Sequence, residues 1–185
     1  ANIPVLEPSD AQEALDFTRL AFDISEEFDT PVILRATTRL SHTRSPVFTG
    51  PRITPEDKPF IDDPNKNVVL PAVARVRHPF VVEREARLQR YFEASPLTRW
   101  EKGDTTYGII TNGTSYPYVK EVVPGVSVLK LASSYPLARE TVQAFCDSVE
   151  KVLVVEELEP FIETEVKAMG IKAEGKVFFP RCGEF

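Results

Sequence analysis

The sequence predicts an α/β protein with a mainly parallel sheet and helices on both faces. Three observations carry the prediction. From residue 104 onward, short β-branched apolar runs alternate with helical-period segments of about ten residues. Those runs, such as 126–131 (VSVLKL) and 149–155 (VEKVLVV), are rich in apolar residues, as strands covered on both faces are. An earlier helix-then-strand pair, residues 9–38, reads as half of a further α/β repeat.

Taken in order, Ser9–Gln12 (SDAQ) has the form of a capping box, with the Ser9 hydroxyl accepting from the Gln12 N–H and Gln12 reaching back. Ala14, Phe17, Ala21, Ile24 and Phe28 then recur at spacings of three and four, which gives a helix one buried stripe. Pro31 ends it, and 31–38 (PVILRATT) reads as a strand. From Arg39 to Pro71 the periodicity vanishes and prolines collect, which suits a connection between domains that wraps a surface. A charged helix is predicted over 79–94, with Val81, Leu88 and Phe92 inward. Strand 106–111, turn 112–115 into a helix, and strand 126–131 follow. Next come helix 136–147 with Ala138, Val142 and Phe145 inward, strand 149–155, and helix 159–169, stopped by Gly170, with Ile162, Val166 and Met169 inward.

The composition is that of a folded globular chain: 42% hydrophobic and 27% charged residues. A net charge of −6 gives no basic face for phosphates, which argues against nucleic-acid binding. The apolar runs are far shorter than the roughly 20 residues a membrane span needs, so no membrane association is expected and a cytoplasmic location follows by default. Cys146 and Cys182 lack metal or redox spacing. The first residues read like the close of an element already under way, and the last ones, 178–185 (FFPRCGEF), are rich in groups that want a partner. A piece of a longer chain is the expectation.

Gly108–Ser115 (GIITNGTS) approaches a phosphate-cradling loop but puts Thr114 where the lysine should stand. Asn112 and Gly113 suit a sharp turn at a strand end, and Thr114 or Ser115 a helix cap. Asn112, Gly113, Thr114 and Ser115 are therefore candidates for holding an anion at a helix N-terminus. Arg39, Ser41 and His42 lie just past a strand's carboxyl end, where arginine can fork onto a carboxylate and histidine can move a proton. They could touch substrate or hold a domain junction. In 152–160 (VLVVEELEP), Glu157 and Glu159 fall at a helix start, where the dipole favours negative charge. Glu156 is the carboxylate least explained by capping, which makes it a candidate for an interface. No metal site and no self-contained catalytic set is evident.

Several stretches together, in order along the chain, are similar to one family: 6–13 (LEPSDAQE), 27–35 (EFDTPVILR), 38–42 (TRLSH), 107–113 (YGIITNG), 131–137 (LASSYPL), 154–160 (VVEELEP) and 178–184 (FFPRCGE). They resemble the alpha subunit of the indolepyruvate:ferredoxin oxidoreductases, which are thiamine diphosphate-dependent 2-oxoacid:ferredoxin oxidoreductases. The resemblance implies that 1–42 ends a pyrimidine-binding thiamine domain, 43–103 is a Pro-rich interdomain connection with a charged helix, 104–170 is a transketolase C-terminal-like domain, and 171–185 leads to a downstream domain. It implies a parent enzyme with thiamine diphosphate, Mg²⁺, 4Fe-4S clusters and coenzyme A as substrate. Its partners would be the remaining alpha-subunit domains, a beta subunit and ferredoxin. The cofactor ligands themselves are expected outside this stretch. The competing expectation is a stand-alone α/β binding or regulatory module holding an anionic ligand at its strand carboxyl ends.

Overall fold

In a computed structural model that describes residues 2–184, two sheets share one molecule. The first part of the chain comprises β1 (Val5–Leu6), α1 (Ala11–Phe28), β2 (Ile33–Leu34), α2 (Thr38–His42), α3 (Pro64–Asn67) and α4 (Pro71–Glu93). The second comprises β3 (Arg99–Glu101), β4 (Asp104–Asn112), α5 (Ser115–Val122), β5 (Val126–Leu131) and β6 (Ser133–Tyr135), followed by α6 (Arg139–Asp147), β7 (Val152–Val155), α7 (Phe161–Ala168) and β8 (Ala173–Glu174). The larger sheet runs β3-β5-β4-β7-β8, parallel except for β3. The smaller runs β2-β1-β6, with β1 and β2 parallel and β6 antiparallel to β1.

The larger sheet is covered on both faces, as the unbroken apolar strands predict. In register, Ile109 lies beside Val128 and Leu153, and their face packs with Val119 of α5. The next residues, Ile110, Leu129 and Val154, pack on the other face with Val142 and Phe145 of α6 and Ile162 and Val166 of α7. A separate core joins Phe17, Ile24 and Phe28 of α1 to Leu6, to Leu88 and Phe92 of α4, and to Ala132 and Ala138.

Several boundaries differ from the sequence reading, for identifiable reasons. The cap of α1 sits one residue later than expected. Asp10 is the N-cap and accepts from the Glu13 N–H, while Glu13 rather than Gln12 reaches back to the Ser9 N–H at 2.8 Å. The chain leaves α1 at Asp29, whose φ of 51° turns it before Pro31 is reached. The strand expected over 31–38 pairs only at Ile33–Leu34, because Thr37 caps a helical turn over 38–42 through its hydroxyl. Helix α4 starts eight residues earlier than expected, with Pro71 rather than Pro79 at its first turn. Pro79 lies inside it, where its missing N–H removes a helical bond. Lys66 and Arg77 hold that region onto Asp29 at 2.7 and 3.3 Å, and Arg84 donates to the Asp29 carbonyl. Strands β3, β6 and β8 were not expected. Each is two or three residues long and set by its partner strand, too short for periodicity to register.

All three helices of the larger sheet lack a side-chain cap bond from their own N-cap residue, Thr114 of α5 included. Helix α6 follows Ala138, and the carboxylate of Glu93, at the end of α4, accepts from the N–H groups of Glu140 and Thr141 at 2.8 and 2.9 Å. Helix α4 thereby caps the first turn of a helix in the other half of the molecule.

The seam between the halves carries a buried charge. Lys130, on the interior strand β5, is fully buried, and its ammonium meets Glu13 at 2.5 Å and the ring of Phe17 at 5.0 Å. Glu13 also accepts from the Ser9 hydroxyl and from Arg99 at 2.6 Å. Burial works to raise the Glu13 carboxyl, but Lys130 and Ser9 outweigh it and hold it below the usual carboxylate range. Burial lowers the Lys130 ammonium, and Glu13 recovers only part of that loss. The pair fixes how the halves fit while adding little net stability. Removing one partner is another matter: Glu13→Gln strands the ammonium and is expected to cost about 3–5 kcal/mol in urea unfolding. Lys130→Met, of similar length, should cost much less or nothing, and equal losses in the two variants would contradict this account. Because the Glu13 carboxyl is lowered, the part of stability it carries should be present at neutral pH and lost as pH falls through its folded titration.

Candidate functional site

The order β5-β4-β7 places a topological switch point between β4 and β7, since the chain leaves β4 for one side and later crosses to the other. In open α/β sheets ligands meet the carboxyl ends of the strands at such a point. Here β4 ends at Asn112, and β7 runs into Glu156 and Glu157. Asn112–Ser115, read from the sequence as a turn into a helix, does this, with Gly113 at φ 49° and α5 starting at Ser115.

The crevice is filled by the chain's own first half. The Thr114 hydroxyl lies 3.1 Å from the Thr37 hydroxyl and donates to Glu157 at 3.1 Å. A side chain added at Gly113 would meet the Glu7 carboxylate at 3.5 Å. Glu7, only 5% exposed, pairs with Arg35 from just after β2. Two carboxylates therefore already face the first turn of α5, where the sequence suggested an anion could sit. A cleft of about 340 Å³ remains beside them, bounded by Glu7, Arg35, Ser134, Glu156, Leu158 and Phe161.

Glu156 is not an exposed carboxylate awaiting a partner. It is 4% exposed, and its two oxygens accept from the N–H groups of Ile162 and Glu163 at 2.8 and 2.9 Å. It caps α7 from five residues upstream of the first helical residue, which corrects the expectation that capping explains it least. Pro160 is the N-cap itself rather than the first helical residue, and its side chain can offer no cap, so the distant carboxylate takes over. Burial raises the Glu156 carboxyl, the two N–H bonds and Lys176 pull it back, and the net shift is upward. Among the sequence candidates, Glu157 and Thr114 come together, whereas Arg39, Ser41 and His42 lie on α2 nearby and are exposed. Arg39 bonds Glu184 at 3.0 Å and lies over the Tyr118 ring, and Ser41 donates back to the Thr37 carbonyl.

Glu7 and Arg35 were missed as site residues. Their signal was a charged residue at the end of each of two short apolar runs that turn out to pair. The carboxylates of this cluster are spent on Arg35, on Thr114 and on helix N–H groups. Among the described residues no three His, Cys, Asp or Glu side chains gather as metal ligands, and the arrangement fits a packed junction better than a diphosphate and its metal.

No family model matches the chain. An indolepyruvate oxidoreductase subunit IorA from Archaeoglobus fulgidus is 42% identical over 92% of it. The subunit of the same name from Pyrococcus horikoshii is 41% identical over all of it. The chain spans 28% and 31% of those relatives. The solved 2-oxoglutarate:ferredoxin oxidoreductase from Magnetococcus marinus matches 97% of this chain and 39% of its own with a TM-score of 0.66 at 16% identity, a likeness of fold. Identity near two in five from end to end marks the chain as a relative of part of the indolepyruvate oxidoreductase subunit IorA, of whose length it spans less than a third.

Proposed function

We propose that this stretch is a structural part of the alpha subunit of an indolepyruvate:ferredoxin oxidoreductase, one that joins thiamine-type domains and carries no catalytic group of its own. Residues 1–42 end a pyrimidine-binding domain, 43–103 cross between domains, 104–170 are the transketolase C-terminal-like domain, and 171–185 lead onward. The whole enzyme oxidatively decarboxylates an arylpyruvate to its acyl-coenzyme A in the cytoplasm. Thiamine diphosphate, Mg²⁺ and 4Fe-4S clusters are held elsewhere in it, and a beta subunit and ferredoxin are its partners. The observation that carries the reading is the use made of the switch-point crevice: Glu7, Glu156 and Glu157 are buried and each has a structural partner. A stand-alone module holding an anion there is the weaker reading, because Glu7 and Glu157 already bring negative charge to the first turn of α5.

In the full-length subunit, Glu156→Ala should lower stability by about 1–2 kcal/mol through loss of the α7 cap and leave turnover per folded molecule unchanged. A fall in kcat without a fall in melting temperature would assign Glu156 to the chemistry instead. The raised Glu156 carboxyl favours the folded state while protonated, and that contribution is lost as pH rises through its folded titration. Unfolding of Glu156→Gln at acid and neutral pH should accordingly show the variant gaining on wild type as pH rises.

Arg39 sits between Tyr118 and Glu184, a junction position. Arg39→Ala should cost at most about 1 kcal/mol, as exposed pairs do, and loosen the segment around Glu184 to limited proteolysis. Unchanged stability, proteolysis and substrate affinity together would remove Arg39 from both its substrate and its junction role.

A further inference from the structure

Segment 43–70, irregular but for α3, follows the outer side of α1 in the direction of the helix. Its anchors fall in the same order on both. The Phe48 N–H donates to Gln12 at 2.7 Å, Lys58 meets Glu26, and Lys66 meets Asp29 at 2.7 Å. Every one of these anchors is polar. The large apolar side chains of the segment point the other way: Phe48 and Phe60 are each 89% exposed, Ile53 84% and Val69 94%. Phe22 on α1 and Val76 on the first half of α4 extend the same exposure. A strap with its polar side inward and its apolar side outward is the reverse of what water favours, and exposure of this extent indicates a surface made to be covered.

We infer that the outer face of this strap is covered by the polypeptide that the longer relatives carry beyond the matched stretch. The inference rests on the reading of this chain as part of such a subunit. Length supports that occupant: the relatives have more than twice as much chain outside the match as inside it. Of the six Lys or Arg in residues 43–82, Lys58, Lys66 and Arg77 are paired with Glu26 and Asp29, so apolar area rather than charge sets the chemistry of the covering surface.

The test is photo-cross-linking in the purified full-length subunit, with p-benzoylphenylalanine at Ile53 or Phe60 and, as control, at exposed Lys172 just before the edge strand β8. Mixing isotopically labelled and unlabelled copies separates bonds within a chain from bonds between chains. The expected result is cross-links from positions 53 and 60 to peptides of the same chain outside this stretch, and none of these from 172. Cross-links only to a second copy or to another protein, or a yield no higher than at 172, would overturn the inference. If instead the intact mass showed a natural polypeptide no longer than this stretch, the proposed function itself would fall.

Discussion

A lysine ammonium with no access to water, on an interior strand of the larger sheet, constrains how the two halves of the molecule can meet. Lys130 has to be answered by a carboxylate, and Glu13 answers it from α1. Glu13 in turn holds Ser9 before the helix and Arg99 on the edge strand, so a single carboxylate ties together a helix start, an interior strand and an edge strand. A different rotation of α1 about its axis would carry Glu13 away and leave the Lys130 ammonium buried without its carboxylate.

The same economy governs the helix starts. Helices α6 and α7 have Ala138 and Pro160 as their N-caps, residues whose side chains have nothing to offer the exposed N–H groups. Carboxylates from other places, Glu93 and Glu156, bond the second and third N–H groups in closely similar geometry. These first turns therefore depend on tertiary structure. As isolated segments of eight or nine residues they would have little helical tendency.

What could be read from the sequence follows the same division. The long periodic elements were legible because burial repeats along them: Phe17, Ile24 and Phe28 on α1, Val142 and Phe145 on α6, Ile162 and Val166 on α7. The acidic stretch was legible as a helix start, but the duty was assigned to the wrong residue. Spacing from the helix favours Glu157 and Glu159, whereas the fold of the loop through Leu158, at φ 63°, turns Glu156 back onto α7. Strand β6 had no local signature, and the site pair Glu7–Arg35 had only a charged residue at the end of each of two short apolar runs, since each exists by virtue of a partner distant in sequence. Family resemblance, carried by whole stretches, reached further than any single motif.

The antiparallel pairing of β1 with β6 has a mechanical consequence. Main-chain bonds such as Glu7 N–H to the Ala132 carbonyl at 3.0 Å run directly between the first half of the chain and the strand that follows β5. The pairing covers only Val5 and Leu6 and is irregular between them, yet any rotation of one half against the other would have to break these main-chain bonds as well as the Lys130–Glu13 pair.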